Sequence, residues 1–408
     1  MKQIKALCLF DYKCHTGFGS VSKNLMDNWR KQLKGQVQFD IVAINYFGDM
    51  VVEPDGTRII SAKLTDNQKD DFGRYVFLKT LLDGDYDVVF ILQDLGVVLG
   101  LIPHLKKFKE EKRVANRPNF KTIFYFPVDS GLVPNLTQGL EFFDVLATYT
   151  EFGRREVLMH RPDLKSKLKV VPHGTNTKDF YPIFDDAEKQ KFRKEYFGEN
   201  AEKFIITNVN RNQPRKDIPT TIFGFLDYKE ELNPNAFLYL HMHPKDPLGW
   251  DLHRVMQQTP LVEGVDYMFP NEEDYNKGAS VEKLNRIYNA SDCFLTTATG
   301  GGWELTVTEA MATMLPIVMP RHTSFGELGG PRGERCYYLE DLTPDVHNID
   351  NIIRFKCNPT EIAEALHVVE HDAQNGLSVK QQNGFEFVRK LVWADIAKGF
   401  ADDIKRLG

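Results

Sequence analysis

The chain has 408 residues, 42% of them apolar and 26% charged, with a net charge of −6. That length exceeds what one core serves well, so two domains of roughly 150–200 residues are the first expectation, and the acidic balance excludes a general electrostatic footprint for nucleic acid. The five scattered cysteines (Cys8, Cys14, Cys293, Cys336, Cys357) form neither a zinc-ligand spacing nor a disulfide framework. The opening "MKQIKALCLFDYK" has too short an apolar run for a signal peptide and nothing approaches a membrane-spanning length, so a cytoplasmic protein with no integral membrane segment is expected.

In chain order, short β-rich runs alternate with longer helical stretches. Strands are expected at 6–10 ("ALCLF"), 39–44, 88–92, 122–126, 145–149 and 169–172. After a polar stretch near 184–203 they resume at 204–209 ("FIITNV"), 237–242, 266–269, 293–297 and 316–320. Near-continuous apolar strands separated by helices indicate parallel sheets covered on both faces. The pattern occurs twice, which predicts an α/β chain of two doubly wound, Rossmann-like domains, 1–182 and 183–388, with a terminal segment 389–408. The stretch 385–407 reads as one amphipathic helix. Ligands of such sheets bind at the carboxyl ends of strands, and the cleft of a two-domain version is the default pocket.

Three segments at strand ends carry candidate chemistry. "DYKCHTGFGSVSKNLMDNW" (11–29) runs from the first strand into a helix, and Gly17 and Gly19 let the backbone turn and approach an anion at the helix start. A plain tight turn is the alternative. An NAD site is disfavoured, because Ser22 replaces the third glycine and Asn45 the ribose-binding acid. "NVNRNQPRKD" (208–217) places Arg211 and Lys216 where two cations can neutralise a departing diphosphate, unless they are ordinary surface charges. "GGGWELTVTEAM" (300–311) strips side chains from 300–302 ahead of a helix. There Thr306 to Glu309 fits a capping box, while the glycines suggest close approach of a ligand and Glu309 can accept a ribose diol.

Other segments are given plainer readings. "DGDYD" (83–87) stands at the amino end of a strand, where a polar turn is expected rather than a metal site. The histidines of "HMHP" lack a third ligand. The run 105–121 holds seven cations against two acids and reads either as a solvated helix face or as a docking patch for an anionic acceptor.

Taken together, "TGFGSVSKNL", "FYFPVDSG", "TYTEFGRREV", "VVPHGTNTKDFYP", "NVNRNQPRKD", "LYLHMHPKDPLGWDL", "SVEKLNRIYNASDCFL" and "GGGWELTVTEAMATMLPIVMP" resemble the family 4 glycosyltransferases in both content and order. These are retaining enzymes of the GT-B fold that use nucleotide sugars without a metal. The resemblance implies that Gly17, Phe18 and Gly19 face donor phosphates and acceptor, that Arg211 and Lys216 hold the diphosphate, and that Glu309 binds the ribose. It implies that Gly302, Trp303, Leu305 and Thr306 line sugar and phosphate, that Asp129 contacts sugar or acceptor, and that the last helix returns to the first domain. It further implies a UDP- or GDP-sugar as substrate and no separate cofactor or metal.

One departure is plain: Gly301 stands where the family has its first glutamate, and Glu304 where it has a glycine. The acceptor is left open among a glycan, a lipid-linked sugar, a small molecule and nucleic acid. Two alternatives remain, a DNA- or RNA-modifying glycosyltransferase using 105–121 and a catalytically impaired nucleotide-sugar-binding protein.

Overall fold

A computed structural model describes residues 2–65, 68–346, 350–376 and 378–408, with the backbone alone at 275–277. Contacts divide the chain into unit 1 (Met1–Val128, Leu132–Gly174, Val392–Gly408) and unit 2 (Asp129–Gly131, Thr175–Leu391). The division therefore falls after Gly174 rather than after residue 182, and a three-residue segment around Asp129 sides with unit 2.

Unit 1 is built on β1 (Ile4–Asp11), β2 (Val37–Ile44), β3 (Val51–Val52), β4 (Arg58–Ser61), β7 (Val88–Leu92), β8 (Lys121–Phe126), β9 (Val145–Thr148) and β10 (Leu168–Val170), with β5 (Lys63–Thr65) and β6 (Gln68–Lys69) forming a side pair. The sheet order is β10-β9-β8-β7-β1-β2-β4-β3. All its pairings are parallel except β3 with β4. Ala6 to Phe10 and Val88 to Leu92 are fully buried, as expected of strands with both faces covered.

The C-terminal segment is not one helix. It breaks between Val379–Val388 and Trp393–Leu407. The second helix belongs to unit 1, where the Trp29 indole donates to the Ala397 carbonyl at 2.9 Å and Phe400 packs edge-on against Trp29 and Phe90.

Unit 2 holds β11 (Phe204–Val209), β12 (Ala236–His241), β13 (Tyr267–Met268), β14 (Cys293–Leu295), β15 (Ile317–Pro320) and β16 (Tyr337–Leu339). They run parallel in the order β13-β12-β11-β14-β15-β16. This is the doubly wound order whose direction of winding reverses between β11 and β14, the point at whose carboxyl ends sheets of this kind bind ligands. An antiparallel hairpin, β17 (Leu342–Val346) and β18 (Ile353–Cys357), is added beyond β16. Among the described residues no helix is long and apolar enough to cross a membrane.

Candidate active site

The loop that leaves β11 and the loop that leaves β14 meet at the reversal point of unit 2. Buried hydroxyls join them: Thr297 Oγ1 donates to the Asp217 carbonyl at 2.9 Å, and Thr299 gives its N–H to the Arg215 carbonyl at 2.8 Å. The first loop is itself braced by Asn212, which donates to the Trp250 carbonyl at 2.7 Å and accepts from the Trp250 N–H at 3.1 Å. Each of these bonds satisfies a buried polar group that would otherwise cost about 1–3 kcal/mol.

Charges of alternating sign run across this frame. The Lys216 ammonium contacts Glu304 Oε2, with only 8% and 6% of the two side chains exposed. Arg215 Nη1 lies 3.4 Å from Glu304 Oε1 and donates to the Gly300 carbonyl at 3.0 Å. Arg215 Nε reaches Asp129 Oδ2 at 3.4 Å. On the other side of Asp129, Arg354 of β18 donates to its carbonyl at 3.3 Å, stands 3.5 Å from Oδ1, and pairs with Asp350 at 3.0 Å. Burial pushes Lys216 down to about 8 against the upward pull of Glu304. Removing one member of such a buried pair costs about 3–5 kcal/mol, because the other is left desolvated and unmatched.

Gly300 is required by the protein itself, and a side chain at 301 would have to displace that of Glu304. A Cβ at Gly300 would lie 2.0 Å from the Asp129 carbonyl oxygen, and one at Gly301 would lie 2.3 Å from Glu304 Oε1. Close approach was expected from a ligand; the groups that approach are Asp129, Arg354 and Glu304. The Glu304 side chain folds back so that its carboxylate lies where a side chain at 301 would begin. Thr323 braces the same turn, its hydroxyl accepting the Gly301 N–H at 3.2 Å.

The capping box is also overturned. The helix spans Leu305–Ala312 with Glu304 at its N-cap, so Thr306 lies inside the first turn, and the Thr308 hydroxyl donates to the Leu305 carbonyl at 2.9 Å. Glu309 makes no cap; its carboxyl accepts from the Tyr288 hydroxyl at 3.1 Å. Burial raises Glu309 to about 7, only partly opposed by that bond. Trp303 packs against the core cluster around Val307 and Met311, Gly302 is buried, and Leu305 and Thr306 are half-buried.

Arg211 stands apart from the charge chain. It is on the same loop as Lys216, but 56% of its side chain is exposed and its Nε donates to Asp246 at 2.8 Å. Arg215 and Arg354 escaped the sequence reading. Arg215 adjoins Lys216 and was open to notice; Arg354 lies on the unpredicted hairpin, and nothing in its neighbourhood in sequence marks it.

In unit 1, Gly17 and Gly19 open the helix Gly17–Gln32 rather than a preceding loop, with Thr16 as its N-cap. The Thr16 hydroxyl accepts the Gly19 N–H at 2.9 Å and donates to Asp11 at 2.5 Å, and Asn45 donates to the same carboxylate at 3.1 Å. Gly19 is obligatory, since a Cβ would sit 2.5 Å from the Cys14 carbonyl; Gly17 is exposed with open space around it, and Phe18 is half-buried.

The remaining sequence candidates are occupied locally. Asp85 pairs with Lys112 and Arg117, and Asp87 with Lys2. His241 bonds the Tyr239 hydroxyl, and His243 accepts the Lys245 N–H. All seven cations of 105–121 have acidic partners. Among the described residues no group of three or more His, Cys, Asp or Glu is placed to hold a metal ion.

No family model matches the chain. A stretch of 202 residues, 47% of the chain, is 24% identical to a "Probable sucrose-phosphate synthase" of Thermosipho melanesiensis and covers 41% of it. A stretch of 153 residues, 38% of the chain, is 24% identical to an "Alpha-monoglucosyldiacylglycerol synthase" of Acholeplasma laidlawii and covers 36% of it. The matched stretches thus span well under half the length of these curated relatives. Among solved structures, a sucrose-phosphate synthase from Thermosynechococcus elongatus superposes on 100% of the chain and 99% of its own at TM-score 0.70 and 15% identity. The chain has the GT-B fold, two Rossmann-like units of parallel sheet.

Proposed function

We propose that the chain is a retaining glycosyltransferase resembling family 4, moving a sugar from a nucleoside-diphosphate donor to a hydroxyl acceptor without a metal. The observation that carries this reading is the charge chain through Lys216, Glu304 and Arg215 at the reversal point of unit 2, beside the first turn of the helix Leu305–Ala312. Unpaired N–H groups of a first helical turn and buried cations together suit a diphosphate. Two relatives, named as synthases of a sugar phosphate and of a glucosylated diacylglycerol, support the reaction class and leave the acceptor open.

In this reading Lys216 and Arg211 neutralise the diphosphate as the bond from the anomeric carbon to its oxygen breaks. Glu309 accepts the ribose hydroxyls, and backbone groups of Gly302, Trp303, Leu305 and Thr306 line sugar and phosphate. Gly301 leaves room for the Glu304 carboxylate beside the sugar. Asp129 contacts sugar or acceptor, while Gly17, Phe18 and Gly19 serve the acceptor side. The acceptor's oxygen bonds the anomeric carbon on the face the diphosphate leaves, and its proton passes to a phosphate oxygen. No protein nucleophile is needed. UDP- and GDP-sugars are the first donors to try.

The test is release of nucleoside diphosphate from a panel of nucleotide sugars. One donor should be cleaved, and Lys216→Ala and Arg211→Ala should each lower turnover by orders of magnitude in a folded protein. Near-normal rates in both variants would remove the assigned roles. Binding without release, with or without acceptors, would favour a nucleotide-sugar-binding protein instead.

A further inference from the structure

In the charge chain every cation already faces a carboxylate of the protein. Lys216 contacts Glu304, Arg215 lies between Glu304 and Asp129, and Arg354 lies between Asp129 and Asp350. An incoming diphosphate therefore meets cations that are not free. Glu304 is the carboxylate that touches both Arg215 and Lys216. Asp129 reaches Arg215 alone of these two and is itself offset by Arg354.

The placement of Glu304 is built in. Its backbone forms the N-cap of the helix Leu305–Ala312, yet its side chain makes no capping bond and turns back over Gly301. The room for it exists because position 301 has no side chain. With the residue only 5% exposed, water screens its charge poorly, and its effect on a neighbouring anion is far larger than at a surface.

We propose that Glu304 is a specificity-determining residue that discriminates, by charge, against the free nucleoside diphosphate in favour of its sugar ester. The inference rests on the reading of unit 2 as a nucleotide-sugar site. A free diphosphate near pH ~7.5 carries about one more negative charge than its ester, because esterification removes a terminal ionisation with pKa ~6. A fixed carboxylate on the same two cations penalises the more highly charged ligand more. The product diphosphate is held less tightly than the donor and leaves after transfer.

The experiment measures dissociation constants at pH ~7.5 for the free diphosphates of uridine, guanosine and adenosine, their glucose esters and their β-methyl esters. In the wild-type protein the methyl ester of the accepted nucleotide should bind about tenfold tighter than the free diphosphate, although it carries no sugar. In Glu304→Gln the free diphosphate should gain about tenfold while either ester changes less than threefold, and Glu304→Asp should keep the wild-type ratio. Equal shifts for diphosphate and esters, or a wild-type protein that binds the free diphosphate as tightly as its methyl ester, would overturn the inference alone. The wild-type comparison holds even where a variant fails to fold. Failure of all nine ligands to bind the wild type would overturn the donor-site reading and this inference with it.

Discussion

The segments that follow β1 and β11 occupy equivalent places in two sheets of similar winding, and they hold opposite chemistry. At the end of β1, one carboxylate, Asp11, is satisfied by the neutral donors Thr16 and Asn45 from the segments that follow, and burial raises its pKa. After β11, a buried ammonium and a guanidinium share the carboxylate of Glu304 from the neighbouring loop. The winding of the sheet fixes where a crevice can form, whereas the buried charges decide what it can hold.

The sharpest way to break this comparison is Lys216→Met. Turnover should fall about 10²–10³-fold, and stability should drop about 3–5 kcal/mol because Glu304 is left buried with Arg215 as its remaining contact. Adding Glu304→Met should return most of the stability and none of the turnover. Urea unfolding and diphosphate release measure the two separately; additive losses of stability would show that the pair is not coupled.

A smaller effect tests the exchange between positions 301 and 304. Gly301→Glu alone forces its Cβ against Glu304 and should cost about 1–3 kcal/mol. Gly301→Glu with Glu304→Gly should recover most of that loss and alter donor preference, read by unfolding midpoints and by the nucleotide-sugar panel.

The unit 1 loop sharpens the contrast through its glycines. Gly19→Ala meets the Cys14 carbonyl and should cost about 1–3 kcal/mol. Gly17→Ala, with open space around it, should stay within about 0.5 kcal/mol. A loss of activity in Gly17→Ala without loss of stability would place a ligand there.

The smallest expected effect is on pH. In the proposed site Glu309 would take the ribose as carboxylate and Lys216 the diphosphate as ammonium, so affinity should rise as pH approaches about 7 and decline above about 8. Stability runs the other way at Glu309. Its folded pKa of about 7 exceeds the ordinary 4.5, so the folded state holds more protons between them. That contribution is complete below 4.5 and is lost as pH rises through about 7. Titration calorimetry across pH 6–9 checks the first, on the order of a few-fold in affinity. A flat profile would remove both assignments.

Much of the fold was legible, for reasons visible in particular strands. "VVFIL" is apolar at every position and "FIITNV" at four of six because both faces are covered, and both match the expected ranges. The short strand "RIIS" has one fully buried side chain, and "LTPDV" of the hairpin is mostly exposed, so neither shows a run or an alternation. Arg354 was lost with that hairpin. Glu304 and Gly301 were both conspicuous, but only coordinates show that the side chain of one lies where a side chain at the other would begin. The helix start was misread because Thr306 and Glu309 have capping spacing while the chain begins the helix at Leu305.

The most direct test of the central claim is a crystal structure of the protein soaked with the nucleotide sugar it binds. The account predicts phosphate oxygens within about 3 Å of the Lys216 ammonium and ribose hydroxyls on the Glu309 carboxyl. A nucleotide bound elsewhere, with the Lys216–Glu304 contact untouched, would contradict it.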